Sequence, residues 1–303
     1  VRAPRALIPL LAVCGAAAVV VTAGAGAAIE HGPAARGPAL ADAAEALPPA
    51  TVNAMTWNVC GDTGCPMGER PAELAEEIVA ETARNEVGGR RVTMNAVFLQ
   101  EVCSGHVDKL RATAGLRSWN WAFAPSRTTG GAERTCANGQ GRMGVAVGAA
   151  SALSDVEEVR LPSPENHGRS AVCGTATTWQ ARLCSVQLSS TRWDDDPRGE
   201  WRGKQIGRLA ELAAENRVIV GGDLTERPES PALDPLYREF AECDQGPGEA
   251  RSGAMTQQDW RGATVAKTDY LFISKTAGTS CGVPHAPVRS SDHRPLAATV
   301  RFR

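Results

Sequence analysis

The sequence predicts an α/β domain of the mixed α+β kind, and three observations carry that expectation. Short apolar runs rich in β-branched and aromatic residues recur along the chain, segments with helical spacing of apolar residues separate them, and several runs end in a carboxylate or amide. The pattern is clearest near the C-terminus. Tyr270 to Ile273 reads as a buried strand starting just after Asp269, and Leu296 to Val300 as another following the Ser-Ser-Asp-His-Arg-Pro turn. Taken as neighbours, the two strands bring Asp269 and the Asp292-His293 pair to the same end of a sheet. A histidine oriented by one carboxylate, with a second beside it, is equipment for activating water next to a metal ion.

In chain order, Arg2 and Arg5 precede an apolar stretch from Ala6 to Ile29 that ends in small-residue sites around Ala23-Gly24-Ala25 and Ala25-Gly26-Ala27. This is the pattern of a signal peptide over 1–29, which implies a secreted, extracellular protein. The alternative is a membrane-anchored protein held by the uncleaved segment, which is just long enough to span a bilayer. Residues 30–50 are Ala/Pro/Gly-rich without apolar period and read as a disordered linker in which His31 has no role. The ordered domain is assigned to 51–303. Its first strand begins at Val52, where apolar residues alternate through Met55-Thr-Trp-Asn-Val. A helix is predicted over 70–85, with Pro71 at its start and Leu74, Ile78 and Val79 at helical spacing. Strands are then predicted at 96–101, 143–147, 171–178, 181–188 and 217–223, with helices over 105–114 and 199–216 and a polar loop at 259–262.

Length alone leaves one large domain or two small ones open among 303 residues. A hydrophobic content of 43% with 22% charged residues supports a sizeable core. The net charge of −2 lacks the basic excess of a nucleic-acid surface, although a metal ion can supply local positive charge. Of nine cysteines, Cys14 lies in the leader. The remaining even number in an exported chain argues for disulfides. Cys60 with Cys65 and Cys173 with Cys184 suit local closure, while Cys243 with Cys281 would staple the C-terminal sheet. The absence of paired CxxC spacings, with few histidines, argues against zinc.

Four strands end in polar groups: Asn58, Glu101, Asp223 and the Asp269/Asp292/His293 cluster. Singly, each has a local explanation: a turn cap for Asn58, a helix cap for Glu101, a Gly-Gly-Asp turn for Asp223. Together, strand ends on one edge of a layered α/β protein converge on a crevice, and carboxylates with oxygen donors suit Mg²⁺, with Mn²⁺ or Ca²⁺ as alternatives.

Five motifs in order sharpen this reading: Met55-Thr-Trp-Asn-Val, Phe98-Leu-Gln-Glu-Val, Gly221-Gly-Asp-Leu, Lys267-Thr-Asp-Tyr-Leu-Phe-Ile-Ser and Ser291-Asp-His-Arg-Pro-Leu. Over about residues 52–303 the chain resembles the endonuclease/exonuclease/phosphatase superfamily, as a secreted bacterial-type, deoxyribonuclease-I-like member. The resemblance implies a four-layered α/β sandwich, two packed mixed β-sheets flanked by helices, and Mg²⁺-dependent phosphoesterase chemistry. It implies Glu101 as principal metal ligand with Asn58 beside it and Asp292 near the ion, Asp223 positioning or deprotonating the attacking water, and His293 oriented by Asp269. Two positions depart from the family. Gln187 stands where histidine or tyrosine is typical, and Thr225 stands where the Gly-Asp-x-Asn motif has asparagine. Both fall among the candidate catalytic residues: Gln187 can donate a hydrogen bond but cannot carry a proton charge, and Thr225 offers one shorter donor in place of an amide with two.

The expected function is therefore hydrolysis of a phosphodiester, in nucleic acid or a phospholipid headgroup, by a monomer without an obligate protein partner. The two departures also support an alternative: a weakened enzyme or non-catalytic exported binding module on the same fold. The inositol-phosphatase motifs Gly-Asp-x-Asn-x-Arg and Trp-Cys-Asp-Arg are absent from the sequence. Arg142 and Arg169 are the candidate phosphate-facing cations, and Trp119, Trp121 and Trp193 the candidate membrane-contact aromatics. His106, His167 and His285 read as surface residues.

Overall fold

The computed structural model describes residues 47–303 except 129, 192, 193, 195 and 247–249. The leader over 1–29, nearly all of the 30–50 linker, Cys14, His31 and Trp193 lie outside the described residues. Among the described residues no helix is long and apolar enough to cross a membrane.

The first half runs β1 (Ala50–Asn58), α1 (Pro71–Arg84), β2 (Glu86–Val87), β3 (Arg90–Arg91), β4 (Ala96–Cys103), α2 (Ser104–Ala112), β5 (Asn120–Pro125) and β6 (Met143–Ala149). The second half runs β7 (Leu153–Arg160), β8 (Ser170–Ala176), β9 (Ala181–Gln187), α3 (Glu200–Leu212), β10 (Val218–Asp223), α4 (Asp234–Glu239) and β11 (Phe240–Glu242). It closes with β12 (Gln257–Gln258), β13 (Thr264–Ala266), β14 (Asp269–Ser274), β15 (Gly278–Gly282) and β16 (Leu296–Phe302). Two six-stranded sheets result, ordered β15-β16-β1-β4-β6-β5 and β11-β14-β10-β9-β8-β7.

The sheets share one plan. Each has a single parallel pair, β1 with β4 and β9 with β10, and antiparallel neighbours elsewhere. A parallel pair cannot be joined by a hairpin. The two long amphipathic segments supply the crossovers, α1 between β1 and β4 and α3 between β9 and β10. Side-chain alternation then sorts residues into three apolar layers. Phe98, Leu183, Ile219, Leu271, Ile273 and Leu296 meet between the sheets. Met55, Trp57, Val97 and Leu99 face Leu74, Ile78 and Leu110 of α1 and α2. Tyr270, Phe272 and Val220 face Ile206 and Leu209 of α3. The architecture is the four-layered α/β sandwich. Gly221 is required by sheet contact, since a Cβ there would lie 2.5 Å from the ring of Phe98.

One expectation from the sequence is corrected. The strands after Asp269 and after His293 are not neighbours: β14 belongs to the second sheet and β16 to the first. The intervening chain crosses between the sheets and contributes β15 beside β16. Both strands are apolar on both faces, so their sequence pattern carries no mark of which sheet they join.

Cys60–Cys65, Cys103–Cys136, Cys173–Cys184 and Cys243–Cys281 are bonded. Cys173 and Cys184 are direct cross-strand partners in β8 and β9. Cys243 follows β11 and Cys281 lies in β15, so this bond ties one sheet to the other rather than stapling a single sheet.

His106 is also corrected: it is fully buried, not a surface residue. It occupies the first turn of α2, where its Nδ1 accepts from the Cys103 N–H at 3.3 Å. Burial, opposed by Asp62, pushes its pKa down from 6.5 to about 4. The native state therefore binds fewer protons than the unfolded chain across that range. The stabilisation is present above pH 6.5 and lost as pH falls through about 4. In urea titrations at stepped pH, the wild type is expected to lose stability over this window more steeply than His106→Gln, and matching curves would refute the assignment. Trp119 and Trp121 are half-buried, stack at 6.2 Å and pack against the α1/α2 layer, so they are not a free membrane edge.

Candidate active site

The shared plan of the sheets builds the site. The carboxyl ends of both parallel pairs meet at one edge of the sandwich, carrying Asn58 and Glu101 from one sheet and Gln187 and Asp223 from the other. Register places Gln187 and Asp269 on either side of Asp223. His293 and Asp292 arrive on the turn leading into β16, whose Leu296 pairs with Thr56 of β1.

Local backbone geometry aims these groups. Glu101 has φ +50°, in the left-handed region, within a register shift between Leu99 and Val102 of β4. A bulge of this kind re-aims one side chain out of strand alternation, and it turns Glu101 towards the second sheet. Its Oε1 accepts from Gln187 Nε2 at 2.7 Å. Ser291 supports the histidine turn, its Oγ accepting from the His293 N–H at 3.0 Å and donating to the Asn58 carbonyl at 2.7 Å. Trp57 Nε1 donates to the His293 carbonyl at 2.9 Å. Thr256 Oγ1 accepts from the Asp269 N–H at 3.0 Å. Trp57 and Ser291 sit inside the recognised motifs, whereas nothing in the sequence marks Thr256.

His293 Nδ1 lies 2.8 Å from Asp269 Oδ2, and both residues are buried. Donor atoms of Asp223, Asp269 and His293 lie within 4.8 Å of one another. Burial disfavours the charged imidazole, but Asp269, reinforced by Asp223 and Asp292, overrides it and raises the pKa to about 10. Burial pushes Asp223 up to about 6, with Asp269 and Glu101 adding to the rise and His293 and Asn58 opposing it. Asp292 is raised by burial, against His293 and with Glu101. The edge thus holds an imidazolium and a carboxyl group poised near neutrality, separated in pKa by their surroundings.

The donor set fits a divalent cation. Asp223, Asp269 and Asp292 act on His293, Glu101 acts on Asp223 and Asp292, and among the described residues Asp269 Oδ1 is buried without a hydrogen-bond partner. Carboxylate oxygens in excess over local positive charge suit a hard ion. Asn58 is held between two partners, Oδ1 accepting from the Cys60 N–H at 3.1 Å and Nδ2 donating to Asp223 Oδ2 at 3.1 Å. It therefore orients Asp223 and has only a second Oδ1 lone pair to offer an ion.

The remaining candidates separate. Gln187 is in the cluster, contacting Glu101 and, at 3.5 Å, Asp223 Oδ2. Thr225 holds Asp223 through its backbone N–H at 3.0 Å, but its hydroxyl donates to the Ser189 carbonyl at 2.7 Å and is not turned to the cluster. Arg169 is buried behind Gln187, donating from Nη1 to Gln187 Oε1 at 2.6 Å and from Nε and Nη2 to Asp194. It does not face outward as a phosphate-binding cation. Arg142 is exposed, 3.4 Å from Glu133 and over the Phe123 ring, and the structure does not join it to the cluster. Asp194, which also meets His167 Nδ1 at 3.3 Å, was not visible as a site residue in the sequence.

A four-layered sandwich with this histidine–carboxylate edge defines the class to which comparison assigns the chain. It belongs to the Endonuclease/Exonuclease/phosphatase family, whose sequence model matches residues 55–293. No curated protein sequence matches significantly. Among solved structures, the human Nocturnin catalytic domain with bound sulfate is 16% identical with a TM-score of 0.62, covering 84% of this chain and 94% of that one. D. rerio TDP2 complexed with single-strand DNA product is 16% identical with a TM-score of 0.59, covering 84% of this chain and 100% of that one. A mannosyl-6-phosphatase from Bacteroides thetaiotaomicron is 12% identical with a TM-score of 0.58, covering 83% and 100%. At these identities the likeness is one of fold.

Proposed function

We propose that the chain is an exported, divalent-metal-dependent phosphodiesterase, with 51–303 as its catalytic domain and Mg²⁺ as the working ion. The observation that carries this reading is the His293–Asp269 pair clustered with Asp223, with Glu101 of the other sheet joined to the same edge through Gln187. The leader-like N-terminus and four disulfides support export.

Glu101 and Asp292, with the free lone pair of Asn58, would hold the ion, which when bound supplies positive charge against the phosphate oxygens. Asp223, its pKa near neutrality, takes a proton from the attacking water. His293 is a charged donor at neutral pH: Asp269 occupies Nδ1, leaving Nε2–H for a phosphoryl oxygen. Gln187 offers the amide N–H that reaches Asp223 only at 3.5 Å, and Arg169 fixes which way the amide faces by engaging Oε1. Because Gln187 has no proton to release, diesters with stabilised leaving groups are expected to react fastest.

The test is hydrolysis of bis(p-nitrophenyl) phosphate by oxidatively folded protein, with and without Mg²⁺. Activity abolished by EDTA and restored by Mg²⁺ is expected, and a folded protein without metal-dependent turnover would overturn the reading. That second outcome would favour a non-catalytic binding module, for which the engagement of Thr225 by Ser189 and of Gln187 by Glu101 is the supporting observation. A double-mutant cycle tests the Arg169–Gln187 arrangement. Arg169→Ala and Gln187→Ala are each expected to lower kcat by about 10–10²-fold, and the double variant to fall no further than the worse single one. Independent, multiplying losses would show that Arg169 does not act through Gln187.

A further inference from the structure

The β12–β13 hairpin is fastened to the site, yet its tip carries groups that hydrolysis does not use. Gln257 bridges His293, and the Gln258 N–H donates to the Asp292 carbonyl at 2.8 Å. Arg294 donates from Nε to Gln258 Oε1 and from Nη2 to the Gly262 carbonyl, both at 2.8 Å. Asp259 Oδ1 accepts from the N–H groups of Arg261 and Ala263 at 2.9 Å, and Gly262 packs so closely on Pro287 that a Cβ would lie 2.5 Å from it. The tip is thus held on both sides, and its presentation of side chains is built into the fold.

Trp260 is 56% exposed at this tip. Together with Arg261 and Arg289 it lines a groove of about 570 Å³, whose remaining wall includes Pro66, Pro287 and Val288. Both arginines are exposed, and neither has a carboxylate partner among the described residues. An exposed indole beside two uncommitted guanidinium groups matches a ligand with a flat apolar face and repeated negative charge. Trp260 is three residues from Gln257, so its backbone lies within roughly 10 Å of the His293 bridge. A bilayer fits less well: the exposed Met255 and Val265 open onto a different groove with Arg227, leaving no shared apolar face around Trp260.

We infer that this groove seats a nucleotide flanking the scissile phosphodiester, with its base on Trp260 and phosphates on Arg261 and Arg289, so that the substrate is single-stranded nucleic acid. The inference rests on the phosphodiesterase reading but is tested without turnover. Binding of fluorescein-labelled oligothymidylate to the purified, oxidised protein is followed by anisotropy in EDTA across a salt series, with thermal unfolding confirming that variants are folded. Trp260→Ala is expected to weaken binding by about 5- to 150-fold, the worth of one stacked base. Arg261→Ala/Arg289→Ala is expected to reduce the slope of log K against log salt by about 1.4, the release expected from two single-strand phosphates. Affinity and slope unchanged in both folded variants would overturn the inference. So would Trp260-dependent binding to phosphatidylglycerol vesicles with no binding of oligothymidylate. Hydrolysis of bis(p-nitrophenyl) phosphate by the wild type reports the phosphodiesterase reading separately, so the two fail independently.

Discussion

Replacing His293 by alanine is expected to lower kcat on a phosphodiester by about 10³–10⁴-fold, more than loss of one hydrogen-bond donor alone would produce. Two effects combine. The charged donor is removed, and Asp269 keeps its buried carboxylate without the partner now 2.8 Å away. The positive charge that opposes the rise in Asp223 pKa also disappears, so this group moves above about 6 and is protonated over more of the neutral range. The acid limb of the pH–rate profile should therefore shift upward in His293→Ala while the small residual rate persists at high pH. A loss under tenfold, or an acid limb that stays in place, would remove His293 from the role proposed for it.

Glu101→Gln is expected to weaken Mg²⁺ or Mn²⁺ binding by at least about 10²-fold, since a neutral amide replaces a proposed principal ligand at nearly constant shape. Stability should move the other way. Glu101 raises the pKa of both Asp223 and Asp292, which is repulsion that the metal-free fold bears. Removing one charge relieves it, so the metal-free variant should unfold at a higher temperature than the metal-free wild type. Isothermal titration calorimetry and thermal unfolding in EDTA read these two effects separately. Ion affinity equal to wild type would assign the metal to other residues, and a lower metal-free Tm would mean that Glu101 serves the fold.

Much of the architecture was legible because it is encoded locally. Each strand of the two parallel pairs reads as an apolar run, each crossover helix shows 3.6-residue spacing, and the polar residues at the strand ends stand out against that background. The five motifs carried the family resemblance because each is a local run of residues, although the bonds that Trp57 makes to His293 and Ser291 makes to Asn58 join distant parts of the chain. Strands such as β5, β7 and β15 were less legible, since interrupted or half-exposed runs resemble loops until a neighbouring strand supplies their hydrogen bonds.

By itself the sequence determined which segments become strands and helices, which polar groups end them, and the presence of a histidine flanked by carboxylates. Only the tertiary structure decided that β14 and β16 belong to opposite sheets, so that Asp269 and His293 meet across the sandwich rather than along one sheet. It also decided that a bulge turns Glu101 towards Gln187, that the Thr225 hydroxyl goes to Ser189, and that Arg169 works from behind the amide with Asp194. The reason is physical: secondary structure follows periodicity between near neighbours, whereas sheet membership and the direction of a buried polar side chain follow from which distant partner satisfies its hydrogen bonds and charge once water has been excluded.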